Sequence, residues 1–374
     1  MSFFKGLSKE GLRVLYITIF MTLFSVIMVY SSSWPVANSK DLPSYYYCLR
    51  QLIFALMGFA VLCFVSRSNY KIFHKYATQI FIISLILTAV TFIPGIGKEI
   101  NSARRWIGLG IVDFMPSDLL KFGAVNFAAY YISRNYKKNM NLFKLVFHIL
   151  VILGVPTILV ILQPDLSTGI VVGASSFLIF CVSGLPYFIT LGFILIGLFV
   201  MYVAIYWAKT GYSRIDRIVA FLDPLGNVSD EGWQLVQSLS AVSNGGILGV
   251  GFGKSQQKFL YLSQAHNDFI FAIISEEFGF LGAVLLILVY IFFAISGIRI
   301  AIRSKSIYSQ LLVTGIVFIV ILQALINISV VIGLIPPTGI TLPFISYGGS
   351  SLIIMLGLVG IILNVDKNNN KENL

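Results

Sequence analysis

From Tyr261 to Gly279 the chain reads YLSQAHNDFIFAIISEEFG. A polar group, His266 to Asp268, runs straight into an apolar helix that carries two more acids, Glu276 and Glu277. Acidic residues number 15 among 374, and an ionised carboxylate at the mouth of a membrane helix persists only where it is solvated, paired or used. Asp268 is therefore the first candidate for chemistry. A plainer reading has it cap the helix, accepting backbone N–H bonds near Phe271. Position alone leaves both open.

The composition says which kind of helix this is. With 57% hydrophobic and 11% charged residues and a mean hydropathy of +0.90, the chain departs from soluble globular proteins, whose charged fraction is about 25%. It reads as an all-α membrane protein, a single polytopic domain over 1–374. Cys48, Cys63 and Cys181 form no C-x-x-C pair, and the histidines at 74, 148 and 266 are scattered, so neither a disulfide framework nor a metal cluster is indicated. The net charge of +11 is explained by topology and does not point to nucleic acid.

Apolar windows of about 20 residues, enough to cross a bilayer, can be placed ten times. They lie near 12–30, 50–66, 76–94, 118–133, 145–162, 169–184, 187–207, 268–298, 309–333 and 349–365. The eighth is long enough to project from the membrane. The first follows Lys5, Lys9 and Arg13 as a signal peptide would, but its apolar core is too long for one and reads as an uncleaved span. Alternate loops divide the basic residues unevenly. Fifteen fall in the N-terminus, the 67–75, 134–144 and 299–305 loops and the tail, against five (Lys40, Arg50, Lys98, Arg104, Arg105) in the opposite short loops. The expectation is that both termini are cytoplasmic and that a large loop, 208–267, lies outside between spans seven and eight with Asp268 at its membrane edge.

Further charge sits where membrane proteins avoid it. Lys121 falls inside the fourth span one turn after Asp118, so the two can pair, either as a structural ion pair or at a cavity. Asn101 to Gly110 reads NSARRWIGLG, putting Arg104, Arg105 and Trp106 on an outside loop. Arginine with tryptophan suits gripping phosphate near headgroups, or simple interfacial anchoring. Gln163-Pro164-Asp165 and the segment from Gly333 to Ser351, GLIPPTGITLPFISYGGSS, break helices at membrane depth, which is tolerated only where protein or water satisfies the freed backbone. The run Gly245 to Ser255 fits neither a P-loop nor a dinucleotide fingerprint. It reads as a glycine-permissive turn able to approach a ligand or membrane closely.

Together, Asn101-Ser-Ala-Arg-Arg-Trp-Ile, Pro116-Ser-Asp-Leu-Leu-Lys121, Gln163-Pro-Asp, Ala265-His-Asn-Asp268-Phe-Ile-Phe, Glu276-Glu-Phe-Gly279 and Leu342-Pro-Phe-Ile-Ser-Tyr-Gly-Gly-Ser-Ser351 resemble the signatures of the SEDS proteins. This is the shape, elongation, division and sporulation family of RodA, FtsW and SpoVE, and the resemblance covers nearly the whole chain. It implies a ten-span inner-membrane glycosyltransferase polymerising lipid II, working with a class B penicillin-binding transpeptidase and other divisome or elongasome membrane proteins. The run Gly249 to Ser255 with Gln257-Lys258 looks more like the division and sporulation branch. The chain departs from the family at Ser263-Gln264, where Pro-Glu is usual, at Asn267, where Thr is usual, and at Asp118, where Glu is usual. The resemblance implies Asp268 as catalytic base. It places Arg104, Arg105, Trp106, Asp118, Lys121, Gln163, Arg214, Lys258, His266, Ser346 and Ser350 in substrate binding. No cofactor is certain; a divalent metal such as magnesium or manganese stays open. The rival readings are a flippase or transporter of the lipid-linked precursor, since broken helices and intramembrane charges serve transport as well, and a scaffold in which Asp268 only caps.

Overall fold

A computed structural model describes residues 6–100, 103–108, 110, 113–135, 142–206, 221–224, 226 and 230–371. The described chain is a bundle of helices: α1 Lys9–Ser39, α2 Tyr46–Arg67, α3 Lys71–Lys75, α4 Ala77–Val90, α5 Pro116–Asn135, α6 Leu142–Leu162, α7 Leu166–Val182, α8 Tyr187–Tyr206, α9 Asp230–Gly245, α10 Ile270–Arg303, α11 Ile307–Val331 and α12 Gly349–Lys371. Six are long and apolar enough to cross a membrane: α1, α2, α6, α10, α11 and α12. Each of the remaining expected windows also holds a helix. Those at α4, α7 and α8 are shorter apolar helices, and α5 is diluted by Asp118, Lys121 and Arg134. Apolar side chains such as Phe64, Phe143 and Phe199 cover much of the exterior, as a bilayer requires.

The two ends of the bundle differ. At the end holding both termini, the Asp366 carboxylate in α12 accepts from Ser8 N (2.7 Å) and Ser8 Oγ (2.6 Å), while Glu10 pairs with Arg13 and Arg299. This sews α1, α10 and α12 together. Between the ends, α12 packs closely on α2 because glycines allow it: a Cβ at Gly360 would lie 2.8 Å from Leu62 O.

The opposite end is built of irregular pieces. One was unexpected: residues 97–114 are not a loop but a three-stranded antiparallel sheet, β1 Gly97–Ile100, β2 Ala103–Gly108 and β3 Asp113–Phe114. The eighth span also differs from expectation. Instead of one long projecting helix, α10 is broken at Gly279 (φ 67°, ψ −168°) into 270–278 and 280–303, and the first piece is buried nearly throughout. The glycine run of 245–251 explains the break. Its backbone packs closely on α10: Val250 N donates to Glu276 O (3.0 Å), Gly251 N to Glu277 O (3.1 Å), Phe280 N to Gly246 O (2.8 Å) and Leu281 N to Ile247 O (3.2 Å). Backbone groups freed by the break are thereby satisfied. A Cβ at Gly249 would sit 2.2 Å from Glu277 O, and one at Gly279 would sit 2.3 Å from Gly249 N, so only glycine permits the approach.

Candidate functional site

Asp268 lies two residues before α10 and is partly exposed. The helix has Phe269 as its N-cap, with no side-chain capping bond. The Asp268 carboxylate has no hydrogen-bond or ion-pair partner among the described residues, so the capping alternative is not what the structure adopts. Its backbone is held firmly. Asn327 Nδ2 in α11 donates to Asp268 O (2.7 Å) and to Ile340 O (2.6 Å). Ser346 Oγ donates to Asn267 O (2.6 Å) while accepting from Leu342 N (2.7 Å). The segment 333–348 therefore folds inward against the residues before α10, as its prolines and glycines suggested, and Gly339 faces the Asp268 carboxylate.

Across the mouth stands the break between α6 and α7. Asp165 caps α7, accepting from Thr168 N (3.0 Å). Arg105 on β2 donates through Nε to Gln163 O (3.1 Å) and through Nη2 to Pro164 O, with Nη1 3.5 Å from Asp165 Oδ2. Its remaining N–H groups are uncommitted among the described residues. Burial pushes the Asp268 carboxyl up to about 6; the Arg105 guanidinium works against that shift and the Asp165 carboxylate adds to it. An aspartate so raised is a better proton acceptor than an ordinary one, yet still mostly ionised at pH 7.

His266 sits between Tyr47 (ring centroids 4.8 Å) and Tyr347 (5.6 Å). Burial, with Lys40 nearby, lowers its pKa to about 4, so the imidazole is neutral. Among the described residues, buried polar atoms around the mouth find no partner, including His266 Nδ1, Asn267 Oδ1, Asn327 Oδ1, Thr338 Oγ1 and Gln163 Oε1. Orphaned groups so close together fit a site that receives a polar ligand.

The other expected site residues spread out. Arg104 and Arg105 are neighbours on a bulged strand: Trp106 pairs with Lys98 and Arg104 with Glu99, so Arg105 is the extra residue of the bulge, re-aimed from the regular alternation. Arg104 takes a different partner, pairing with Glu99 (3.0 Å) beside a groove of about 230 Å³ lined by Phe92, Glu99, Arg104, Leu162, Gln163 and Pro164. Lys121 pairs with Asp118 Oδ1 (2.7 Å) as its spacing allowed, and also donates to Gln323 Oε1 (2.9 Å). It is 2% exposed and lies behind the mouth. Gln163 Nε2 ties the break to Thr88 O (2.9 Å) and Thr91 Oγ1 (2.5 Å). Ser350 Oγ accepts from Met115 N (3.3 Å), joining α12 to the approach to α5. Lys258 is far from Asp268: fully buried, it pairs with Glu277 Oε1 (3.0 Å) and donates to Gly253 O and Ser31 Oγ. Arg214 and Asn101 lie outside the described residues. A cavity of about 400 Å³ along Ala60, Cys63, Phe64, Arg67 and Ser68 is at the other end of α2 from the mouth. No group of three metal-ligating side chains exists among the described residues.

Sequence reading missed Asn327 and Gln323. Both are buried amides four apart in the apolar α11, on the face that meets the mouth. Polar residues at that spacing within a span were the available signal.

The geometry defines a polytopic α-helical membrane protein with a charged, broken-helix mouth at one end. The family model for FtsW, RodA and SpoVE, described as "Cell cycle protein", matches residues 12–371. Stage V sporulation protein E of Bacillus subtilis is 38% identical over 363 residues, covering 96% of this chain and 98% of that protein. A probable peptidoglycan glycosyltransferase FtsW of Geobacter sulfurreducens is 35% identical over 364 residues, covering 96% of each. The chain belongs to the FtsW, RodA and SpoVE family. Among solved structures, one described as "Structural coordination of polymerization and crosslinking by a peptidoglycan synthase complex" matches with a TM-score of 0.74 at 26% identity, covering 95% of this chain and 97% of that one. The Thermus thermophilus rod shape determining protein RodA shares the fold, with a TM-score of 0.71 at 23% identity over 95% of this chain and 96% of that one. The higher identities to the sporulation and division proteins agree with the branch read from residues 249–258.

Proposed function

We propose that this protein is a peptidoglycan glycosyltransferase that polymerises lipid II into glycan strands for septal, lateral or spore wall, with Asp268 as general base. The observation that carries the reading is the Asp268 carboxylate: unpartnered among the described residues, raised to about 6, held through its backbone by Asn327, and facing Arg105 across a broken-helix mouth. In the proposed step Asp268 takes the proton from the acceptor sugar's 4-hydroxyl as that oxygen attacks the donor's anomeric carbon, and the lipid pyrophosphate departs. Arg105 meets the developing pyrophosphate charge with N–H groups left free by Gln163 and Pro164. Gln163 and Ser346 act by position, fixing the break and the inward segment. Lys121, Asp118, Ser350 and His266 support the same walls, while Arg104 with Trp106 guides the approach of substrate. A magnesium-like ion takes one or two free carboxylates plus substrate phosphates; here Asp165 is committed to Thr168 N and the Arg105 guanidinium and Asp268 is needed free to take the proton, so the mouth does not fit one.

The basic-residue bias supports cytoplasmic termini and an extracytoplasmic mouth, where lipid II is polymerised. A cysteine in place of exposed Tyr45, in a cysteine-free background, should react with an impermeant thiol reagent in intact spheroplasts, and one in place of Ser306 should not. The partner class is a class B penicillin-binding transpeptidase, with which the protein should co-purify.

The test is a gel of glycan strands made from labelled lipid II by wild type, Asp268→Asn and Asp268→Ala, each with partner present. Polymer from wild type and roughly a hundredfold less from Asp268→Asn is expected, the usual scale for a lost acid–base group. Wild-type rates from Asp268→Asn would remove the base. Absence of polymer from every sample would favour transport of the precursor instead.

A further inference from the structure

Residues 246–252, GILGVGF, leave the protein's surface bearing large apolar side chains. Ile247 is 70% exposed, Leu248 78% and Phe252 51%. In a loop surrounded by water such a patch would be costly, and a loop in contact with lipid would usually strand its backbone amides. Here much of that cost is met. Four bonds run to the break in α10, and with Gly249 N to Gly245 O (2.8 Å) and Lys254 N to Gly251 O (3.1 Å) they satisfy the amides of Gly249, Val250 and Gly251 and the carbonyls of Gly246, Ile247 and Gly251.

Its depth follows from the same bonds. They set the loop level with Gly279 to Leu281. Between Gly279 and Arg299 the chain carries no charged residue and rises about 30 Å at roughly 1.5 Å per residue, the thickness of the hydrocarbon layer. With Arg299 at one headgroup boundary, where it pairs with Glu10, Gly279 and the loop lie at the other. The outward face of α10 below the loop is apolar and exposed at Phe280, Leu281 and Leu285, so the patch continues a surface already facing lipid. Aromatic residues mark the same boundary. Trp34, one turn beyond the Ser31 that bonds Glu277, stacks edge-on against Phe259 (5.2 Å), and Tyr261 and Trp233 stand exposed nearby.

We propose that residues 246–252 form a wedge inserted among the acyl chains of the bilayer leaflet at the mouth end, holding the broken start of α10 against the membrane. Lipid is the occupant because the patch runs on from the lipid-facing side of α10 and the amides of its central residues, Gly249 to Gly251, are bonded within the protein. Buried Lys258, paired with Glu277, anchors the loop's far side to the protein.

The test uses the full-length protein in proteoliposomes, in a background with Cys48, Cys63 and Cys181 replaced by serine. An environment-sensitive fluorophore is attached at Leu248→Cys or Ile247→Cys, and at Asn38→Cys as an exposed control. Shallow doxyl lipid should quench both loop probes at least twofold more than it quenches the control, with iodide quenching correspondingly reduced. Strong iodide quenching at Leu248→Cys and Ile247→Cys with no response to doxyl lipid would overturn the proposal. So would protection from both quenchers, since the patch would then be covered by protein.

Discussion

Two carboxylates near the start of α10, Asp268 and Glu277, occupy the same end of the bundle and read alike in sequence, yet the fold treats them oppositely. Glu277 is fully buried, with Oε1 taken by the Lys258 ammonium and the Ser31 hydroxyl and Oε2 shut in without a partner among the described residues, while Lys258 is further satisfied by Gly253 O. Asp268, nine residues earlier, keeps its carboxylate open to the mouth while Asn327 and Ser346 hold its backbone and that of Asn267. The first arrangement buries the acid against its cation, and the second leaves the acid within reach of a ligand. An acid in an apolar run is thus not in itself a sign of chemistry. The sign is an acid without a partner in a place built to hold it still.

Breaking the closed site should hurt folding most. Lys258→Met leaves Glu277 charged and buried without its cation, and should cost about 3–5 kcal/mol of stability, read as a large loss of thermal stability in detergent. Lys258→Met with Glu277→Leu should recover much of that loss. A single variant as stable as wild type would show the pair to be irrelevant. Next in size, Arg105→Ala should lower polymerisation about tenfold to a hundredfold, the scale of a lost charge-assisted contact of 1.5–3 kcal/mol, with Arg105→Lys restoring little because lysine lacks the planar fork. Full rescue by lysine would replace the bidentate picture by simple charge. Arg104→Ala, whose guanidinium pairs with exposed Glu99, should do less. Smallest, Gly249→Ala should cost about 1–3 kcal/mol, since it needs both a strained φ of +83° and room already filled by Glu277 O. An unchanged melting temperature would mean that the contact between loop and helix gives way easily.

Much of this architecture was legible because apolar windows report helices whatever their neighbours are. Gln163-Pro164-Asp165 and the segment after Gly333 announced their breaks through proline and glycine, and the i, i+3 spacing announced the ion pair of Asp118 and Lys121. What escaped was pairing between distant segments. The strands at 97–114 are too short for periodicity to reveal, so Arg104 and Arg105 read as one cationic grip until the structure gave them different partners, Glu99 for Arg104 and the 163–165 break for Arg105. The break at Gly279 depends on a glycine run some thirty residues earlier, and the partner of Lys258 lies beyond the mouth itself. At the site, Asp268 stood out by its cost in an apolar setting. Asn327, which holds it, looked like one amide in a long apolar span.

The claim that Asp268 accepts the proton is tested most directly by the pH dependence of kcat/KM for lipid II polymerisation. With its pKa raised to about 6, the base form is lost as pH falls through that value. Wild-type activity should be near its plateau at pH 7.5 and fall about tenfold per unit well below pH 6. The slow residual activity of Asp268→Asn should show no such limb. The same limb at the same pH in Asp268→Asn, or wild-type activity flat from pH 5 to 8, would contradict the assignment.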